Sequence, residues 1–198
     1  MALIHREDRP QEDSFIRLGP QTKMVRDMGW YLTRGYMLTE IVFKPIGTVH
    51  SPFKEPPGTP IQPGAAAGVQ GWVEVFPEYR EGLADLEGFS HLILLYYFHL
   101  TQGFALRVKP FLDEQQRGLF ATRAPARPNP IGISTVRLER VDGTRLYIRE
   151  VDIVDGTPLL DIKPYVPRFD RRDGAASGWM AENLDQLESA RDDGRFMP

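Results

Sequence analysis

Closely spaced prolines and glycines are the feature that most limits what this chain can fold into. The 198 residues include 17 prolines and 18 glycines, which divide residues 41–170 into short apolar runs. Proline fixes φ and lacks a backbone donor, and glycine favours turns, so a chain interrupted this often has little room for long helices. Short runs between turn signals are typical of antiparallel sheets with tight connections.

Seven or eight short strands are predicted between residues 41 and 170. The run GWVEVFP (71–77) alternates apolar and polar residues with period two, the pattern of a strand with one buried face. The apolar run HLILLYYFHL (91–100) predicts a strand that is buried on both faces. GFALRVKPF (103–111) and GLFAT (118–122) predict two shorter strands.

Two Asp-Gly pairs mark turns in the second half of the chain. Asp142-Gly143 lies between alternating runs and predicts a β-hairpin, and Asp155-Gly156 predicts a second turn. EYREGLADLEG (78–88) has room for one or two helical turns that end at Gly88. The strand count, with so little helix, predicts an all-β fold, either a small closed β-barrel or a sandwich.

Short helical appendages are predicted at both ends of this β-domain. Residues 1–40 are polar and weakly periodic and predict an N-terminal arm with one helix near 24–31. The barrel domain is predicted to span 41–170, followed by a tail, 171–198, that contains a short helix. Ser177 is its predicted N-cap, and the spacing predicts one shared apolar face: Trp179, Met180, Leu184 and Leu187.

Composition excludes several classes of protein. The chain has no cysteine, so it has neither a disulfide framework nor a thiolate nucleophile. Its longest apolar run, LILLYYF (92–98), is much shorter than the roughly 20 residues of a membrane helix. Residues 1–9 are charged and lack the apolar core of a secretory signal, so the cytoplasm is the expected compartment. A net charge of −3 argues against general attraction to nucleic acid but allows a local basic patch at 163–172.

The common signatures of nucleotide and metal sites are missing from the sequence. It contains no G-x-G-x-x-G after a strand, no P-loop, no G-x-S-x-G and no H-E-x-x-H. His91 and His99 lie eight residues apart. This separation is roughly 26 Å along a strand, too far for the two side chains to share a metal ion. We therefore expect no metal site.

The most unusual segment is GLFATRAPARPNPIGIS (118–134), in which three prolines fall within six residues. Prolines this dense predict a stiff loop, without helix or ladder, between two strands. Stiffness lowers the entropy lost when a loop holds a ligand, and the guanidinium groups of Arg123 and Arg127 suit bidentate contacts with a carboxylate or phosphate. The segment is a candidate binding loop; the alternative is that both arginines are solvated or paired with acidic residues.

Three further segments combine glycine, proline and polar groups near predicted strand ends: IQPG (61–64), YFH (97–99) and DGTPLLDIKPY (155–165). Each segment alone fits an ordinary turn. Phe98 fits either a core position or a stacking surface for a purine or a sulfonium. Asp161 and Lys163 are suited to pairing with each other. Four such segments in one small β-domain favour a ligand site built from loops.

Together with FKPIGTVHSPFKEPPGTPIQPG (43–64) and LEGFSHLILLYYFH (86–99), these segments resemble the TsaA-like (TrmO) family. The resemblance covers about residues 43–167, and RPNPIG and DGTPLLDIKPY are its most specific motifs. It implies a compact β-barrel unrelated to Rossmann methyltransferases, and a homodimer that holds its cofactor near the subunit interface. It also implies an activity: methylation, with S-adenosylmethionine, of the N6 nitrogen of threonylcarbamoyladenosine beside the tRNA anticodon.

The resemblance further implies which residues form the site. Cofactor contacts would come from three motifs and two single positions: Gln62, Pro63, Gly64, Phe98, His99, Arg123, Ile133, Gly156, Thr157, Pro158 and Leu159. Arg127, Asn129 and Lys163 would contact the tRNA substrate. Asp161 and Tyr165 are the candidates for handling the acceptor proton. Neither a metal nor a membrane is expected as a partner.

The chain departs from the family pattern at two places. Ile61 stands where members often have a basic residue before Gln-Pro-Gly, and residues 168–198 follow the core where many bacterial members have a second domain. The tRNA surface is therefore expected to draw on the dimer and on the arm 1–40. Two other functions stay open: methyl transfer to a small molecule or another RNA, and a non-catalytic nucleotide-sensing module.

Overall fold

A computed structural model of the chain describes residues 16–17 and 41–197. The predicted helix near 24–31 lies outside the described residues. Ten strands occur in that part of the chain: β1 (Ile16–Arg17), β2 (Val42–Phe43), β3 (Gly47–His50), β4 (Gln70–Val75), β5 (His91–Tyr97), β6 (Arg107–Val108), β7 (Arg117–Gly118), β8 (Ile131–Asp142), β9 (Arg145–Arg149) and β10 (Thr157–Pro164).

Six of these strands close into an antiparallel barrel in the order β10-β3-β4-β9-β8-β5. Closure leaves no unpaired edge strand in the barrel. The remaining strands form two small pairs, β1 with β2 and β6 with β7. The prediction of an all-β fold is confirmed, and of its two forms the chain adopts the closed barrel.

Alternate residues of the barrel strands point inward and form the core. The fully buried side chains of this core are aliphatic: Val49, Val73, Leu92, Leu94, Val136, Leu146, Ile148 and Leu159. In β5 the buried residues alternate strictly with half-buried ones from His91 to Tyr97. The prediction that this strand is buried on both faces is therefore wrong, because in a single-layered barrel its outer face meets only loops or solvent.

The predicted hairpin at Asp142-Gly143 is confirmed. Strand β8 ends at Asp142, which pairs with Arg145 at the start of β9. Gly143 lies between them with a φ of 62°, a left-handed conformation that glycine adopts without steric cost. The predicted strand at 118–122 is wrong beyond its first residue, since β7 ends at Gly118 and Leu119–Ala121 forms a 3-10 turn.

Over residues 41–197, helix is confined to short turns. The α-helix α1 spans only Pro167–Asp170, and the other turns are of the 3-10 type: Pro63–Ala65, Pro77–Leu83, Leu86–Gly88, Leu119–Ala121, Gly178–Glu182 and Leu184–Ser189. Two of them match the turns predicted at 78–88. Among the described residues, no helix is long and apolar enough to cross a bilayer.

The tail differs from the single helix that its spacing predicts. Two 3-10 turns, Gly178–Glu182 and Leu184–Ser189, are separated at Asn183. Ser177 occupies the cap position of the first turn, but its side chain makes no capping hydrogen bond. The glycine before Trp179 has a positive φ of 57°, which interrupts regular helix geometry. The domain boundary predicted at 170–171 stays a prediction.

Candidate functional site

A cavity of about 520 Å³ lies at the end of the barrel where β5 ends and β8 and β10 begin. Five parts of the chain form its walls: the barrel rim, the segment 56–62, residues 110–112, the proline-rich loop 122–131, and the tail from Trp179 to Met197. The walls are mostly apolar, with a few polar side chains among them. Such a lining is typical of small-molecule sites, which usually enclose about 300–1,000 Å³.

The proline-rich loop lacks regular structure, as predicted, and its own hydrogen bonds hold its shape. Thr122 fixes its start by donating its hydroxyl hydrogen to the Leu119 carbonyl at 2.8 Å. Further along, an Arg127 Nη1 group donates to the carbonyls of Thr122 and Ala124, at 3.0 and 3.3 Å. The Ala124 and Ala126 side chains are buried. Arg127 therefore stabilises the conformation of its own loop. Because these hydrogen bonds use one nitrogen of its guanidinium group, only the rest of the group can contact a ligand in the cavity.

We expect that replacing Arg127 with alanine loosens this loop. The variant loses two hydrogen bonds from a charged donor, so the free energy of unfolding should fall by about 2 kcal/mol. Urea denaturation measures the loss, and amide hydrogen exchange at residues 122–126 should quicken. Asn129→Ala is the matched control, because within the described residues the Asn129 side chain makes no hydrogen bond. Equal stability of the two variants would contradict the assignment.

Arg123 joins two of the predicted segments. Its Nη1 group donates to the Gln62 side-chain oxygen at 2.6 Å, and both residues line the cavity. This contact bridges 61 residues of sequence and connects the proline-rich loop to the wall formed by 56–62. The remaining guanidinium donors of Arg123 form no ion pair within the described residues, so they are available to a ligand.

Phe98 and His99 lie where β5 leaves the barrel. The Phe98 amide donates to the Pro130 carbonyl at 2.8 Å, which fixes β5 against the proline-rich loop. The Phe98 ring packs edge-on against Tyr96, with 5.3 Å between centroids. His99 Nδ1 lies 3.5 Å from the Thr157 hydroxyl. Burial lowers the pKa of His99, so its imidazole is neutral at pH 7 and offers one donor and one acceptor.

A chain of three polar side chains reaches from the barrel interior to the cavity. Ser134 donates its hydroxyl hydrogen to Asp152 Oδ1 at 2.7 Å, so the Tyr96 hydroxyl, 3.0 Å away, donates to Ser134. Burial raises the pKa of Asp152 to about 7, against the opposing effects of the Ser134 hydrogen bond and the Arg123 charge. Burial and the charge of Asp152 raise the pKa of Tyr96, which keeps this phenol protonated.

The tail closes one side of the cavity. The Trp179 indole N–H donates to the Ala121 carbonyl at 2.8 Å, and Arg195 donates to the Pro110 carbonyl at 2.8 Å. The backbone of Asp192 forms two 2.8 Å hydrogen bonds with residues 58 and 59. The four apolar tail residues predicted to share one helix face lie on two 3-10 turns, and all of them line the cavity: Trp179, Met180, Leu184 and Leu187.

The structure brings together seven of the residues predicted for the site. These residues line the cavity: Gln62, Phe98, His99, Arg123, Arg127, Ile133 and Thr157. Pro63 and Gly64 follow Gln62 in a 3-10 turn, and Gly156 and Pro158 flank Thr157. Leu159 is fully buried, so its side chain belongs to the barrel core. Asn129 is exposed on the proline-rich loop, outside the cavity lining.

Asp161, Lys163 and Tyr165 lie away from the cavity of their own chain. In β10 the pairing with β5 runs towards His91, the end of β5 farther from the cavity. Lys163 Nζ forms an ion pair with Asp161 Oδ2 at 2.7 Å, which is the alternative that the sequence left open. The Tyr165 ring packs edge-on against His91, with 6.2 Å between centroids. None of the three is among the residues that line the cavity.

Sequence reasoning missed the polar chain of Tyr96, Ser134 and Asp152. One signal was present: Asp152 stands between the apolar residues Val151 and Ile153. Alternation of this kind places the Asp152 side chain on the side opposite to its two neighbours, which are buried in the structure. Nothing in the sequence indicated that Ser134 and Tyr96 would face that side chain. Among the described residues, no group of three histidine, aspartate or glutamate side chains is arranged to hold a metal ion.

The family pattern of the tRNA-methyltransferase O N-terminal domain matches residues 48–171, more than half of the chain. The chain belongs to this family. A probable S-adenosyl-L-methionine-binding protein of Pyrococcus abyssi is 60% identical over 156 residues, covering 79% of this chain and 85% of the relative. An archaeal S-adenosyl-L-methionine-binding protein of Archaeoglobus fulgidus is 41% identical over 130 residues, covering 66% of this chain and 93% of the relative.

One further relative has a name that specifies an RNA substrate, and a solved structure shares the fold. The mouse tRNA (adenine(37)-N6)-methyltransferase is 38% identical over 146 residues; these cover 70% of this chain but only 33% of the mouse enzyme. A crystal structure of TrmO from Pseudomonas aeruginosa is 41% identical and superposes with a TM-score of 0.59, covering 69% of this chain and 61% of that one. Both proteins therefore contain further sequence that this chain does not match.

Proposed function

We propose that this protein is a methyltransferase that uses S-adenosylmethionine to methylate N6 of the adenosine beside the tRNA anticodon, with threonylcarbamoyladenosine as the substrate nucleoside. One observation carries the proposal. Segments that are far apart in sequence, around Gln62, His99, Arg123 and Thr157, meet in a single cavity. These are the segments of the family motif, and the proteins that share it are named for S-adenosylmethionine or for tRNA methylation.

The cavity suits S-adenosylmethionine in size and chemistry. Its volume of about 520 Å³ lies within the usual range for ligands of this size, and its walls combine apolar surface with a few directed polar groups. Phe98 offers a ring face, neutral His99 a donor and an acceptor, and Arg123 free guanidinium donors. The turn from Gly156 to Leu159 and the Gln62–Gly64 segment would add backbone groups. When bound, S-adenosylmethionine supplies a methyl group that its sulfonium has already made electrophilic.

The residues of the chain would mainly position the acceptor nucleoside. Orienting two reactants in one site lowers a barrier by several kcal/mol, which a stiff loop achieves at low entropic cost. Arg127 keeps the proline-rich loop in shape, so that Arg123 faces the cavity from a fixed position. Asn129 on the outer face of this loop and Lys163 on β10 are our proposed contacts to the tRNA. A tRNA substrate also favours the cytoplasm as the compartment.

We further propose that the protein works as a homodimer. Asp161 and Tyr165 do not line the cavity of their own chain, so they can meet a bound ligand only if a second copy brings them to the site. Large apolar side chains are exposed and would be covered by that copy: Leu106 is 63% exposed, Phe120 75% and Ile133 53%. Extended exposed apolar surface often marks an interface.

The function is tested by methyl transfer from S-adenosylmethionine to two tRNA preparations, one with and one without the threonylcarbamoyl group. We expect transfer only to the modified tRNA, with the new methyl group on N6 of its modified adenosine by mass spectrometry. If the methyl group is transferred only to another RNA or to a small molecule, the proposed acceptor is wrong and the proposed cofactor stands. Binding of S-adenosylmethionine by calorimetry without transfer to any RNA would favour a nucleotide-sensing module instead.

A further inference from the structure

Asp152 is an ionisable side chain on the cavity that the family motif does not assign. It is half-buried in the connection between β9 and β10 and lines the cavity, and its neighbours Val151 and Ile153 are buried. Within the described residues, Asp152 forms no ion pair, and Ser134 is the only side chain that donates to its carboxylate. A desolvated carboxylate at the wall of a ligand site is a candidate functional residue.

The surroundings of Asp152 fix the position of one of its oxygens. Ser134 lies on the inward face of β8 and donates its hydroxyl hydrogen to Oδ1, which leaves its oxygen to accept a hydrogen bond from the Tyr96 hydroxyl. Tyr96 and Ser134 are 4% and 2% exposed, so this chain is held by the barrel core. The arrangement resembles a catalytic base oriented by a second group.

Resting on the function proposed above, we propose that Asp152 is the base that accepts the proton of the acceptor N–H group, with Ser134 and Tyr96 as its positioning residues. In the transfer step, the electron pair of the acceptor nitrogen forms the new N–C bond to the methyl group. The electrons of the broken S–C bond stay on sulfur, which becomes a neutral thioether. The proton of the acceptor N–H passes to the Asp152 carboxylate, so charge and atoms balance.

Other charged or titratable groups line the same cavity, and they can also affect how the rate of methyl transfer depends on pH. Arg123 and Arg127 line it from the proline-rich loop, Tyr96 from β5, His99 from the end of β5, and Asp192 from the tail. Burial lowers the pKa of His99 and raises that of Asp192. A pH effect that belongs to Asp152 must therefore disappear in Asp152→Asn while these groups remain.

The decisive experiment compares wild type with Asp152→Asn, which preserves shape but cannot accept a proton. We expect turnover on threonylcarbamoylated tRNA to fall about a hundredfold or more, the usual effect of losing a general base. In the wild type kcat/KM should rise with pH and level off above about 7, and in the variant it should be flat. Asp142→Asn, a surface carboxylate on the hairpin, is the matched control and should behave as wild type.

Two measurements on the unreacted protein separate this role from others. Calorimetry with S-adenosylmethionine and S-adenosylhomocysteine should give unchanged affinities for both in Asp152→Asn. Selective loss of S-adenosylmethionine affinity would instead make Asp152 a counter-ion for the sulfonium and overturn the proposal. In ¹³C NMR a carboxyl signal should titrate near pH 7 in the wild type and be absent in the variant. A wild-type Asp152 that titrates near 4 would also overturn it.

The outcomes distinguish this proposal from the function on which it rests. If wild type methylates the modified tRNA and Asp152→Asn does so equally well, the role of Asp152 is rejected and the function stands. If Asp161→Asn, and not Asp152→Asn, abolishes transfer, the proton role belongs to Asp161. If wild type methylates no RNA, both proposals fall together. Ser134→Ala tests the positioning role: it should lower kcat and shift the pH profile upward while leaving KM unchanged.

Discussion

Replacing Gly132 with alanine should lower the free energy of unfolding by about 3 kcal/mol, the upper part of the usual cost of overpacking a core. Gly132 pairs with Tyr96 across β8 and β5. A Cβ at this position would lie less than 3.0 Å from three atoms of the Tyr96 ring, and that ring is itself buried. Urea denaturation measures the change. Methyl transfer should fall as well, because a displaced Tyr96 can no longer hold Ser134 against Asp152.

Gly118→Ala is the matched control for this experiment. Gly118 has a φ of −61°, which alanine adopts freely, and a Cβ there would meet no atom within 4 Å. We expect its stability to stay within about 0.5 kcal/mol of wild type, as for most surface substitutions. If Gly132→Ala were as stable as Gly118→Ala, the Tyr96 ring would have to be mobile, and the fixed polar chain would lose its basis.

The barrel was predictable because each of its strands is specified locally. The alternation in 71–77 predicts a strand, and the Asp142-Gly143 pair predicts a turn. Each prediction depends only on residues that are adjacent in sequence, and both were confirmed. The exposure of the outer face of β5 was not predictable in the same way. An all-apolar run has the same sequence pattern whether or not a second layer of structure covers its strand. In this barrel the outer face of β5 is half-buried.

The site was predictable to the extent that it follows the motif segments. Gln62, Arg123 and Thr157 meet on the cavity as the resemblance implied. The chemistry of Asp152 was not visible, since the sequence contains nothing about the burial or the partners that raise its pKa to about 7. The contribution of the tail was also hidden, because its apolar spacing showed a shared face without showing what that face covers.

The largest effect expected at the mouth of the cavity is that of Arg123→Ala. Arg123 is held by Gln62 and presents its free donors to the ligand, so its loss should weaken S-adenosylmethionine binding or turnover at least tenfold, ~1.4 kcal/mol for a charged hydrogen bond. Calorimetry and initial rates measure the two effects separately. Arg80→Ala, an exposed arginine outside the cavity lining, is the control for loss of charge. Unchanged binding and kinetics in a folded Arg123→Ala would remove this residue from the site.

The same variant links the two charged groups of the cavity. The positive charge of Arg123 lowers the pKa of Asp152, against the stronger effect of burial. Removing that charge should raise the pKa of Asp152 further, so the rising limb of kcat/KM should move to higher pH in Arg123→Ala. Arg123→Lys keeps the charge but loses the planar contact with Gln62, so it should lose affinity while its pH profile stays close to wild type. A profile that moves equally in both variants would show that geometry, rather than charge, connects Arg123 to Asp152.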